Sequence, residues 1–211
     1  MGRFFVIRNS TGESQQGSSK PMSLFRFSGA TWEGAMKRAL EGELVRLRAR
    51  EPEDEVFAHR WANDAEVSRW LGTRYPWSRA MAADKIREST FGPQSCVFGI
   101  YSLADARPIG WLGLRSDGIE NRSASLGIAL GDKDCWDGGY GTDTMRVACR
   151  FGFEMMNLNR IQLDVYPENE RAIRCYEKVG FAIEGRTRDA TFKHGAYHDL
   201  ILMSVLAGEL K

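Results

Sequence analysis

From Leu44 onward, the apolar residues fall into short alternating runs separated by longer stretches with helical spacing. Leu44–Ala49 alternates as a strand, and helical stretches follow at about 54–63 and 64–71, entered through Pro52 and Asp54. Gly72–Trp77 is an aromatic, proline-containing loop, and Ser78–Glu88 reads as a further helix. Cys96–Ser102, Pro108–Arg115 and Ser123–Leu130 read as strands, and the turn residues between them predict an antiparallel meander. A helix over Thr142–Asn157 puts Met145, Ala148, Phe151 and Met155 on one stripe. In the strand Arg160–Tyr166, Ile161, Leu163 and Val165 alternate with Gln162, Asp164 and Tyr166. A helix over Glu170–Val179 opens at Asn169 and stops at Gly180, and Phe181–Thr191 with Tyr197–Val205 form a closing hairpin. The expected class is α/β (α+β), with one domain over 44–211.

Residues 1–43 differ in character. Phe4–Arg8 and Ser23–Ser28 are strand-like and joined by a polar Ser/Gly/Gln-rich connector. Thr31 can cap a helix with Trp32, Ala35, Met36, Ala39 and Leu40 on its apolar side. The segment reads as an N-terminal appendage of unknown function, either a small strand–strand–helix unit or equally an extraneous start; as a genuine unit it would cover a cleft or build a homodimer contact, because its amphipathic helix needs a surface.

Composition narrows the partners. Lys and Arg total 29 against 28 Asp and Glu, a net charge of +1, and no basic stripe appears, so nucleic acid is not the expected partner. No apolar run approaches the roughly 20 residues of a membrane span. Phe4–Ile7 is too brief for a secretory signal core, so no membrane partner and a cytoplasmic location are expected. Cys96, Cys135, Cys149 and Cys175 form no CxxC and are expected to be reduced. His194 and His198 flank Gly195 in a turn, which favours hairpin residues over a metal site; none is expected.

Two segments carry candidate chemistry. In Trp136–Thr142, three glycines precede a helix, where a backbone can approach a ligand and free N–H groups with a positive dipole end can seat a pyrophosphate. It is neither GxxxxGKS/T nor a GxGxxG after a first strand, which removes support from kinase, GTPase and dinucleotide readings. In Asn169–Phe181, Asn, Ala, Tyr and Gly-Phe stand at fixed offsets on one helix. Singly, these residues are a cap, a packed aromatic and a helix stop.

As a pair, the two segments resemble the GNAT superfamily of acetyl-CoA-dependent N-acetyltransferases, and more narrowly its RimJ/RimL-like branch. Trp136–Gly141 resembles that branch's W-x-x-G-Y-G/A loop, with Trp136 where the wider family has Gln or Arg. Asn169–Phe181 is similar to its N-x-x-A-x-x-x-Y-x-x-x-G-F helix. Arg60–Val67 with Arg69–Gly72, and Gly195–Asp199, look like its more loosely defined flanking pieces. The resemblance covers about 44 to 211.

It implies a mixed, mostly antiparallel central sheet flanked by helices, whose splayed strands Ser123–Leu130 and Arg160–Tyr166 form an acyl-CoA cleft. Backbone groups of Ile128 and Leu130 would pair with the pantetheine arm, beside the small residues Gly127 and Ala129. The pyrophosphate would lie on Gly138, Gly139, Tyr140, Gly141 and Thr142, and Asn169 would touch a pantetheine amide. Tyr176 would protonate the departing thiolate of coenzyme A, since a phenol with pKa near 10 holds its proton at neutral pH; core packing is the plainer role for it. Asp164 is the candidate base, with Glu168 and Glu120 as alternatives. The acceptor would be a primary amine, either a peptide N-terminus or a small molecule. The competing class is a non-catalytic acyl-CoA-binding sensor or scaffold. Thr73–Trp77 could contact the acceptor or simply pack.

Overall fold

The computed structural model describes residues 32–88, 91–92, 94–116, 118 and 120–211. The strands expected at Phe4–Arg8 and Ser23–Ser28, their connector and the Thr31 cap lie outside these residues. In chain order the elements are α1 (Trp32–Leu40), β1 (Val45–Ala49), a 3-10 turn at Pro52–Asp54, α2 (Glu55–Asn63), α3 (Ala65–Ser68), α4 (Arg79–Arg87), β2 (Phe91–Gly92), β3 (Ser95–Ser102), β4 (Pro108–Ser116) and β5 (Ser123–Leu130). There follow a 3-10 turn at Lys133–Cys135, α5 (Tyr140–Glu154), β6 (Arg160–Val165), α6 (Glu170–Val179), β7 (Ala182–Lys193) and β8 (Ala196–Leu206).

The strands form one sheet in the order β1-β3-β4-β5-β6-β8-β7, with β2 on β3. Every pairing is antiparallel except β5 with β6, so the sheet is mixed and mostly antiparallel, as expected. The elements that periodicity missed are short. Phe91–Gly92 has two residues and Lys133–Cys135 three, too few for any period to register. Helix α5 also begins two residues before the expected Thr142. Gly139 takes φ +87° at the N-cap, which lets the chain turn directly into the helix at Tyr140. Its other end comes at Glu154 rather than Asn157, and Asn157 itself adopts φ +57° where the chain leaves toward β6.

The main core lies between one face of the sheet and α5. Leu112, Leu114, Ile161 and Met203 from the strands meet Met145, Val147 and Ala148 of the helix, all fully buried. Burial of each of the larger side chains, Ala148 excepted, stabilises the fold by about 1.5–3 kcal/mol relative to exposure. Helix α1 lies against α5, with Ala39 buried. Behind it, the Asp143 carboxylate in the first turn of α5 accepts backbone N–H groups of Glu43 (3.1 Å), Leu44 (2.7 Å) and Val45 (3.0 Å). A Cβ at Gly42 would stand 2.3 Å from that carboxylate, so the approach requires glycine. Among the described residues, no helix is long and apolar enough to cross a membrane.

Across the far end of the sheet, Glu184 of β7 receives both Arg160 nitrogens (2.6 and 2.5 Å) and the Ser204 hydroxyl (2.6 Å). These bonds, the Arg160 guanidinium first, hold its carboxyl at about 2 rather than 4.5. A depressed carboxyl stabilises the fold above its unfolded pKa, and the contribution disappears as pH falls from about 4.5 through about 2. The Glu184 side chain is 36% exposed, so the effect is modest. Glu184→Gln is expected to melt slightly below wild type at neutral pH. The difference between the two melting curves should close as the buffer is acidified toward pH 2. A gap that stays constant with pH would show that the pair contributes nothing through ionisation.

Candidate active site

Strand register sets the backbone of the site. Gly131 N–H bonds to Ile109 O, and Ser116 N–H bonds to Gln94 O. In an antiparallel ladder, hydrogen-bonded and non-bonded pairs alternate, so β4 uses Trp111, Gly113 and Arg115 toward β5 and the intervening residues toward β3. In β5, Ser125, Gly127 and Ala129 are consumed by β4. Leu126, Ile128 and Leu130 turn their N–H and C=O groups toward β6. Yet β6 pairs with β5 only over Ser123–Ser125, opposite Arg160–Gln162. Beyond Ser125 the two strands part, and their facing edges line a cavity of about 1350 Å3.

Both ends of β5's open edge are constrained. The Leu130 carbonyl already accepts the Trp136 indole N–H at 2.9 Å, which leaves the N–H as the unpartnered backbone group of that residue. Ala129 lines the cavity, but the register commits its backbone to Trp111 of β4, which leaves only a methyl surface. A Cβ on Gly110 would stand 2.1 Å from Ala129 O, so the two backbones require glycine there to come this close.

At the mouth of the cavity stands the N-terminus of α5. Gly139, Gly141 and Thr142 line the wall, the last also donating its hydroxyl to Cys175 Sγ at 3.4 Å. Gly138 and Tyr140, expected in the same role, are not wall residues. The Tyr140 ring packs toward the core, and Gly138 sits against that ring.

Helix α6 supplies the opposite wall. Its N-cap is Asn169, whose Oδ1 accepts the Ala172 N–H at 3.3 Å while the residue also lines the cavity. Its C-cap is Gly180 at φ +115°, where a Cβ would lie 2.3 Å from Glu209 O. The Asn and Gly of the motif therefore hold the helix ends. Tyr176 lines the cavity, half-buried, with its ring 5.9 Å from Phe181. Its hydroxyl has no hydrogen-bond partner among the described residues, and burial, then the neighbouring Cys175, pushes its pKa well up, so the phenol keeps its proton. Arg171, Arg174 and Lys178 add three cations to the same wall, and the sequence motifs assign them no role. Their spacing of three and four on a helix was the available signal. Arg171 lies over the Trp136 ring at 4.2 Å and 3.7 Å from Asp137.

Asp164 lines the cavity from β6, on the strand face opposite Leu163; Glu168 and Glu120 do not line it. Across that face lie Trp111 and Arg115 of β4 and the 70–77 loop with Trp70, Arg74 and Tyr75. The loop is fastened by Lys193, which no sequence motif singles out. Its buried ammonium donates to the carbonyls of Ser68 (2.7 Å), Arg69 (3.2 Å) and Leu71. Burial, and secondarily Arg74, lowers its pKa. His194 and Gly195, both at positive φ, make the turn of the hairpin, and His198 sits on β8 with Nε2 3.1 Å from Lys193 O.

The sheet is thus parted between two parallel strands, with a helix N-terminus at the opening and a phenol without a described hydrogen-bond partner in the wall. Residues 45–182 match the Acetyltransferase (GNAT) domain, and the chain belongs to that family of acetyltransferases. It is 29% identical over 171 residues to an uncharacterized N-acetyltransferase, p20, of Bacillus licheniformis, covering 79% of this chain and 95% of that one. It is 28% identical to spermidine N(1)-acetyltransferase of Escherichia coli strain K12, covering 76% and 85%. The structure of spermidine N-acetyltransferase from Vibrio cholerae in complex with CoA and spermine superposes with a TM-score of 0.70 at 25% identity, over 78% of this chain and 96% of that one.

Proposed function

We propose that the chain transfers an acetyl group from acetyl-CoA to a primary amine by direct attack while both substrates are bound, and that it belongs to the RimJ/RimL-like branch. In this reading residues 44–211 are the catalytic domain and 1–43 an appendage. The observation that carries it is the open backbone edge of Leu126–Leu130 facing Asp164 and Tyr176 across one cavity. An extended amide-bearing arm can complete that edge as a strand would. Gly139, Gly141 and Thr142 at the α5 N-terminus, with Arg171, Arg174 and Lys178, suit the anionic end of the same molecule.

The thioester supplies an electrophilic carbonyl carbon and a leaving sulfur. A backbone N–H on the open β5 edge polarises the carbonyl oxygen. Asp164, directly or through water, takes the proton that the amine sheds as its nitrogen bonds to that carbon. Tyr176 gives its proton to the sulfur as the carbon–sulfur bond breaks, then regains one from solvent. An acceptor with pKa near 8, such as a peptide α-amine, asks little of Asp164; one near 10.4 asks more.

Titration calorimetry with acetyl-CoA, alongside release of the coenzyme A thiol in the presence of peptide and small-molecule amines, tests the reading. Binding together with amine-dependent thiol release is expected. Tight binding without turnover on any amine would instead make the chain a sensor or scaffold.

A further inference from the structure

The charge of the acceptor half of the cavity is not that of a polyamine site. Asp164 is its one carboxylate among the described residues; the only other acidic wall residue, Asp137, stands by Arg171 and Trp136 at the opposite end. Against Asp164 stand two guanidinium groups. Arg115 rises from β4 on the same sheet face as Trp111, opposite Ser95 and Ser125. Arg74 reaches in from the 70–77 loop. Neither is in an ion pair with a described carboxylate.

A linear polyamine would bring at least two ammonium groups besides the one that reacts, and each would need a carboxylate or an open aromatic face. The aromatic faces are partly taken. Arg69 already lies 4.7 Å over Trp70, and Trp111 has Trp61 stacked at 5.9 Å and Arg50 at 5.9 Å. Guanidinium forks do, however, match a carboxylate, and the exposed Tyr75 ring, with no ring or cation partner among the described residues, matches a flat apolar body.

We propose that the acceptor is a carboxylate-bearing amine with an aromatic or apolar body, its carboxylate met by Arg115 and Arg74 and its nitrogen presented toward Asp164. This rests on the acetyl-transfer reading above and narrows its acceptor. The test is kcat/KM for a matched set of amines: 4-(aminomethyl)benzoate, 4-(aminomethyl)benzamide, benzylamine and spermidine. The benzoate should exceed the benzamide by about tenfold or more, as removal of a charge-assisted hydrogen bond predicts, and spermidine should be the poorest. In Arg115→Gln and in the double variant with Arg74→Gln, the benzoate-to-benzamide ratio should fall toward one, while the dissociation constant of acetyl-CoA stays at its wild-type value. Equal rates for benzoate and benzamide, or a preference for spermidine, would overturn the inference and leave acetyl transfer standing. Absence of acetyl-CoA binding would remove the activity itself and the inference with it.

Discussion

Replacing Tyr176 by phenylalanine is expected to lower kcat about a hundredfold, the lower end of what a positioned general acid contributes. The low end applies because a thiolate is far less basic than an alkoxide or an amide ion and so is already a fair leaving group at neutral pH. The KM for acetyl-CoA should change little, since in the proposed mechanism the phenol acts on the sulfur only as it departs. Stability should also be preserved. The hydroxyl has no partner among the described residues, and the ring that packs near Phe181 is retained. Initial rates of thiol release and a melting curve separate the possibilities. A loss of less than threefold with an unchanged melt would return Tyr176 to a packing role.

Asp143→Ala should produce the largest loss of stability, roughly 3 kcal/mol, because one carboxylate accepts three backbone donors and each buried N–H left unpaired costs about 1–3 kcal/mol before water enters. For a chain of this size that corresponds to a fall in melting temperature of about 10 °C. Asp143→Asn keeps one acceptor oxygen and should lose about half as much. A change under about 1 kcal/mol in the alanine variant, measured by urea denaturation, would mean that water replaces the carboxylate without cost.

Much of the fold was legible because its long elements obey simple periods. Of the stripe Met145, Ala148, Phe151 and Met155, the first three are buried and Met155, just past the helix end, is half-buried; Ile161, Leu163 and Val165 are buried. The caps of α6 at Asn169 and Gly180 lie where residue type placed them. The start of α5 was not legible, because a helix entered through a glycine at positive φ leaves no capping side chain to read. In the site, Tyr176, Asp164, Ile128, Gly139 and Asn169 do reach one cavity. What local sequence could not supply was strand parity, which decides that Ile128 offers its backbone across the gap while Ala129 does not. Nor could it supply contacts made across the chain, such as Trp136 on the Leu130 carbonyl or Lys193 on the 68–71 carbonyls. Asp143 was hidden for the same reason, since its partners lie about a hundred residues earlier.

The parted strands also alter where this sheet is vulnerable to unwanted pairing. Its outer rims are defended in the usual way: β1 carries Arg46 and Arg48, and β7 carries Glu184, Arg186, Arg188 and Asp189. The edge of β5 beyond Ser125 carries Leu126, Ile128 and Leu130 and no charge at all. A sheet normally keeps such an edge from sticking to other chains by charging it, and here that remedy would spoil the site. The protection is placement: the edge belongs to a strand in the middle of the sheet and faces β6, α6 and the α5 N-terminus across the cavity, so it is not offered along the outer rim.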